Sequence, residues 1–103
     1  MEADLTRDEG WREAAEGCRY VLHMASPFPP AEPRDPETLI RPAREGTRRV
    51  LQAAAAGGVE RVVVTSSIIA VMHADKPDHV PRTEMDWSSP SDEEMSTYGR
   101  SKT

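Results

Sequence analysis

The stretch "ETLIRPAREGTRRVLQAAAAGGVERVVVTSS", residues 37–67, changes its apolar period part-way along, and that change decides the fold. From 37 to 56, Leu39, Ala43, Gly46, Val50 and Ala54 recur at intervals of three or four, one apolar stripe on a helix of about five turns. Gly57 and Gly58 stop it. Val62, Val63 and Val64 follow as a β-branched run, apolar on both parities, which predicts a strand with neither face in water. Upstream, "CRYVLHMA" (18–25) is another short apolar run and predicts a buried strand over residues 19–24. Strand, long helix, strand is a βαβ unit. Its strands should be parallel neighbours with a right-handed crossover, and functional groups should gather beyond the strands' carboxyl ends.

The flanking segments fit that frame. Residues 7–17, "RDEGWREAAEG", predict a short helix opened by acidic residues and ended by Gly17. "SPFPPAEPRDP" (26–36) carries prolines at 27, 29, 30, 33 and 36 and can be neither helix interior nor central strand. After residue 72 the periodicity is lost, and "HADKPDHVPRTEMDWSSPSDEEMS" (73–96) reads mostly as exposed loop, with Trp87 as an anchor packed on the domain. Asp92, Glu93 and Glu94 read as the dipole-favoured start of a final helix rather than as a metal site.

Composition narrows the class. The chain has 103 residues, 37% apolar and 30% charged, which allows one small domain with a lean core. A net charge of −5 argues against a nucleic-acid partner. The arginines at 41, 44, 48 and 49 are interleaved with Glu37 and Glu45 and read as a solvated helix face. Cys18, the one cysteine, cannot form an internal disulfide, and His23, His73 and His79 are too scattered in sequence to suggest a metal site. No run has the length of a membrane span and the acidic N-terminus lacks an apolar signal core, so the expectation is a cytoplasmic protein without membrane contact.

Near the end, "STYGRSK" (96–102) sets Tyr98 four positions before Lys102, on one face of any helix that carries them. A positive charge close to a phenol favours the phenolate and so suits tyrosine to proton transfer. The bare pair is a weak motif by itself. It gains context from the two strand exits, "MASP" (24–27) and "TSS" (65–67), whose small and hydroxyl side chains let a ligand approach the backbone. Either exit alone reads as ordinary turn chemistry.

Taken in order, "ADLT" (3–6), "YVLHMASP" (20–27), "IRPAREGTRRVLQAA" (40–54), "RVVVTSSIIAV" (61–71), "TEMDWS" (83–88) and "YGRSK" (98–102) resemble the central part of an extended short-chain dehydrogenase/reductase of the NAD-dependent epimerase/dehydratase superfamily. The resemblance is strongest to the branch of dihydroflavonol reductases, cinnamoyl-CoA reductases and related NADP-dependent aldehyde or ketone reductases. It implies the central βαβ portion of a doubly wound, Rossmann-type α/β sheet, and an activity that reduces a small-molecule carbonyl compound to an alcohol by hydride transfer from NADP or NAD, with NADP favoured by the branch.

The same resemblance implies roles. Tyr98 would be the general acid, Lys102 the charge that eases its deprotonation and holds the nicotinamide ribose, and Ser67 the hydroxyl that binds the substrate oxygen. Asp4 and Leu5 would lie beside the adenine, Ala25 and Ser26 along the ribose and pyrophosphate, and Thr65 and Ser66 at the nicotinamide. Pro42, Ala43 and Glu45 stand where nucleotide-sugar epimerases usually show asparagines, which favours the reductase reading over an epimerase or dehydratase. No Gly-x-Gly-x-x-Gly or Gly-x-x-Gly-x-x-Gly occurs in the sequence. The expectation is therefore a single incomplete NAD(P)-binding domain over 1–103, lacking the N-terminal glycine-rich part and the C-terminal substrate part. Such a piece would be inactive alone and prone to self-association through an open sheet edge. A non-catalytic α/β module that binds a partner through that edge is the alternative from another class.

Overall fold

The computed structural model describes residues 2–103. Six elements follow one another: α1 (Trp11–Ala15), β1 (Tyr20–His23), α2 (Glu37–Ala56), β2 (Arg61–Val64), α3 (Ile69–Met72) and α4 (Thr97–Lys102). β1 and β2 pair in parallel, with Tyr20 opposite Arg61, Leu22 opposite Val63 and His23 opposite Val64. The chain divides into two compact units, one formed by residues up to Pro27 with Arg41–Thr65, the other by Phe28–Ile40 with Ser66–Thr103.

α2 occupies the span its spacing predicts. Asp35 Oδ1 accepts the Glu37 amide at 3.1 Å and Pro36 opens the first turn, a pairing suited to a helix start. At the other end Gly58 adopts φ +69°, and the Val59 amide reaches back to the Ala54 carbonyl at 3.0 Å. Leu39, Ala43, Gly46, Val50 and Ala54 are all buried, so the stripe is the packed face. Pro42 removes the amide that would reach Thr38, yet the helix continues through it.

In the first unit, α2 covers one face of the two-stranded sheet. His23 is buried there, its Nε2 lying 3.2 Å from Thr47 Oγ1, and Val21 faces Val50 and Ala53. The other face is bare: Tyr20, Leu22 and Val63 are more than half exposed. On the α2 side His23 is buried and Val21 and Val62 are half-buried, but Val64 is 41% exposed, so the expectation of buried strands is met only in part. Arg49 also departs from the solvated face predicted for the arginines, because its guanidinium is largely covered and holds Asp8 and the Leu5 carbonyl. Arg44 and Arg48 do sit in solvent, both on Glu45.

α1 is shorter than its composition predicts. Gly10 takes φ +85° immediately before it, a left-handed step that a helix cannot contain. The preceding residues form a turn closed by the Trp11 indole, which donates to the Asp4 and Arg7 carbonyls at 3.1 and 3.0 Å.

The second unit is held by α3 against α4 and by the long connection between them. Ser88 does most of this: its hydroxyl donates to the Ile69 carbonyl at 2.7 Å and accepts the His73 amide, while its own amide bonds the Ala70 carbonyl. Lys76 Nζ and the Thr83 amide both bind Asp86 Oδ2, giving the connection an internal knot. Two expectations fail here. Trp87 is 62% exposed instead of packed. Asp92 and its acidic neighbours lie before α4, not in its first turn; Asp92 instead caps the Glu94 amide and stands 3.2 Å from His73 Nδ1.

Candidate active site

α4 begins where Ser96, with extended backbone, offers its hydroxyl to the Gly99 amide at 3.1 Å. One amide of the first turn is thereby satisfied by the residue best suited to the task. A second, that of Thr97, is taken from outside the helix: Glu32 Oε1 accepts it at 2.6 Å. Thr97, by its side chain first and its amide second, keeps the Glu32 carboxyl below the ordinary carboxylate range, and the charge of Arg100 adds to this.

Helix geometry then places Tyr98 and Lys102 on one face, with Lys102 Nζ 5.6 Å from the centre of the Tyr98 ring. The tyrosine is also fixed from its edge. The Phe28 ring meets it nearly perpendicularly, centroids 4.9 Å apart, in an arrangement aromatic pairs favour. Phe28, Pro29, Glu32, Leu39, Ser96 and Tyr98 line one open cleft.

Ser67 is in the same unit, half-buried just ahead of α3. Its carbonyl accepts the Ala70 amide at 3.0 Å, and its hydroxyl lies 3.4 Å from the Ile69 amide, a long contact that leaves the oxygen able to bind something else. α3 packs on α4 at Gly99. A methyl group there would stand 2.6 Å from Met95 Cγ and 2.9 Å from Ile69 Cδ1, so only glycine admits both. Ser67, Tyr98 and Lys102, the predicted catalytic residues, therefore belong to one compact unit, and Ser66 accompanies them, exposed.

The remaining residues predicted to bind cofactor, Asp4, Leu5, Ala25, Ser26 and Thr65, lie in the first unit. Thr65 continues β2, its amide on the His23 carbonyl at 2.9 Å. Asp4 is exposed, and its carboxylate accepts both the amide and the hydroxyl of Thr6 at 2.7 Å; those bonds, the hydroxyl's foremost, hold it below its ordinary value. Leu5 packs against Gly46, where a methyl group would come within 2.5 Å of Leu5 Cδ2. Ala25 and Thr65 are exposed and Ser26 half-exposed, so small side chains leave the backbone at both strand exits open to a ligand.

Sequence reasoning missed Phe28 and Glu32. Both sit in the proline-rich loop, where an aromatic ring and a carboxylate carry no periodic signal; the one cue was Phe28, an aromatic between two prolines in a polar segment. Among the described residues no three His, Cys, Asp or Glu side chains gather as a metal site would need, and no helix is long and apolar enough to cross a membrane.

Residues 1–103 match the model of the NAD dependent epimerase/dehydratase family. Cinnamoyl-CoA reductase 1 of Petunia hybrida is 46% identical over 92 residues, an overlap of 86% of this chain and 26% of that protein. Dihydroflavonol 4-reductase of Hordeum vulgare is 38% identical over 78 residues, covering 74% of this chain and 22% of its own length. The chain thus spans about a quarter of the curated relatives it matches. Among solved structures, that of gox2253 superposes with a TM-score of 0.77 at 31% identity, over 97% of this chain and 29% of the other. The parallel pair with its connecting helix is accordingly part of a Rossmann-like α/β fold.

Proposed function

The chain belongs to the NAD dependent epimerase/dehydratase family, and from that membership we propose that it is the proton-transfer portion of a nicotinamide-dependent reductase converting a small-molecule aldehyde, ketone or thioester carbonyl into its reduced product. The observation that supports this reading is the Lys102 ammonium standing over the Tyr98 ring, in the compact unit to which Ser67 also belongs.

A bound nicotinamide would supply the hydride. The chain's own residues would do the rest. Ser67 has a hydroxyl with spare capacity to hold the carbonyl oxygen, where negative charge develops as hydride arrives. Tyr98 would give that oxygen its proton, and Lys102 would stabilise the phenolate left behind. Asp4 and Leu5 would flank the adenine, with Ala25, Ser26, Thr65 and Ser66 along the remainder of the cofactor. NADP over NAD, a cytoplasmic setting and an incomplete cofactor domain over 1–103 belong to the same proposal, resting on the resemblance to the reductase branch and on the free thiol of Cys18. Pro42, Ala43 and Glu45, in place of asparagines, favour reduction over sugar epimerisation.

The test is turnover by the full protein with NADPH and NADH against cinnamoyl-CoA and dihydroflavonol, compounds taken from the names of its relatives. Tyr98→Phe should lower kcat by about two to four orders of magnitude, the range of general acid–base catalysis, while cofactor Kd stays nearly constant. Near-normal turnover in that variant would remove Tyr98 from the mechanism.

A further inference from the structure

We propose that Glu32 is a positioning residue for Tyr98, holding the first turn of α4 from the proline-rich loop so that the phenol stays aimed at its target. The inference rests on Tyr98 being the proton donor.

Every helix starts with amides that lack a partner inside it. In α4 the Gly99 amide is bonded by Ser96, which belongs to the helix start and moves with it. The Thr97 amide is different. Its acceptor is a carboxylate 65 positions away in sequence, on a separate segment of the same unit, and the bond is 2.6 Å long. A hydrogen bond to an ionised acceptor is among the stronger kinds, and this one ends on the residue adjacent to Tyr98. Arg100, three residues after Thr97 and so on the same side of the helix, brings its charge toward the same carboxylate.

The anchor itself is stiff. Pro29, Pro30 and Pro33 fix backbone torsions on both sides of Glu32, so the carboxylate is delivered by a loop with little freedom. Thr97 is only 5% exposed, so water is a poor substitute if the carboxylate is removed. Yet Glu32 is itself exposed and fills no core volume. Its loss should therefore leave no cavity but should strand the Thr97 amide, and so loosen the turn that bears the catalytic side chain. Reaction rates respond steeply to such small misplacements.

The experiment compares Glu32→Ala and Glu32→Gln with the parent in the full protein. Glu32→Ala should lower kcat about tenfold with KM changed less than about twofold, and the solvent isotope effect on kcat should rise as proton transfer becomes the slow step. Glu32→Gln keeps an acceptor oxygen and should recover most of the rate. In parallel, hydrogen exchange at the Thr97 amide should quicken about tenfold in Glu32→Ala, the signature of a released turn. Unchanged kcat and isotope effect in Glu32→Ala would overturn the proposal, and so would a fall in kcat with Thr97 exchange left as in the parent. If the parent reduces no carbonyl compound with either nucleotide, the reductase reading fails and the positioning role fails with it. The exchange measurement then shows only whether Glu32 holds α4.

Discussion

Ser66 and Ser67 are chain neighbours that end up in different surroundings, and the difference predicts which of them matters to the chemistry. Ser66 is exposed after the strand exit. Ser67 is half-buried, its backbone carbonyl fixed by the Ala70 amide and its hydroxyl only loosely engaged by the Ile69 amide at 3.4 Å. A hydroxyl held in place but not spent can meet a developing oxyanion without reorganising. Such a donor acts mainly in the transition state, so Ser67→Ala in the full protein should depress kcat about a hundredfold with a much smaller change in KM. Ser66→Ala should change either constant by less than about threefold. Steady-state kinetics on the two variants checks this, and a reversed order would shift the site by one residue along the strand exit.

At the scale of elements, α4 depends on a glycine for packing rather than for torsion. Gly99 is buried in mid-helix, where alanine would ordinarily gain about 1 kcal/mol from helix propensity. Against that, an added methyl meets Met95 at 2.6 Å and Ile69 at 2.9 Å. Met95 is flexible but only 3% exposed, so it has little room to retreat, and Ile69 is tied to α3. Overpacking of this kind costs about 1–3 kcal/mol, which outweighs the propensity gain. Gly99→Ala should therefore lower the denaturation midpoint of the full protein and reduce kcat by tilting Tyr98; a higher midpoint would show that α3 and α4 are looser than their contacts imply. The same elements show what sequence can convey. α2 was legible because its stripe repeats every three or four residues over 20 positions, and the parallel strands because each is a short apolar run bounded by turn residues; the strand exits followed from the strands, and the Tyr98–Lys102 spacing is written in the sequence itself. α3 was not legible, since Ile69 to Met72 are too few to show a helical period, and a partner that holds its start, the Ser88 hydroxyl on the Ile69 carbonyl, lies 19 residues on. The short α1 depends on one positive torsion at Gly10, and the exposure of Trp87 on tertiary context; neither leaves a periodic trace.

At the scale of the whole molecule, the bare face of the sheet sets the behaviour of residues 1–103 as an isolated polypeptide. Leu22 and Val63 are cross-strand neighbours, 66% and 51% exposed, with Tyr20 beside them, while α2 shields only the opposite face. A strand pair apolar on both sides is the pattern of a sheet covered by helices on both sides. Among the described residues each strand also has one edge without a partner, a template for pairing with another copy. The isolated polypeptide should therefore self-associate, and sedimentation velocity should show a weight-average mass that rises with concentration. Leu22→Lys combined with Val63→Lys should suppress that rise, because two buried charges oppose any contact through this face. Nucleotide binding should be weak in the same material. Asp4, Leu5 and the two strand exits offer adenine and ribose contacts, but the sequence contains no glycine-rich helix start whose amides could hold a pyrophosphate. Calorimetric titration with NADPH should accordingly give a Kd weaker than about 1 mM, or no measurable heat. A monomer at high concentration that binds NADPH with a Kd of about 1 µM would mean that these residues bind the dinucleotide by themselves, through groups other than a glycine-rich turn.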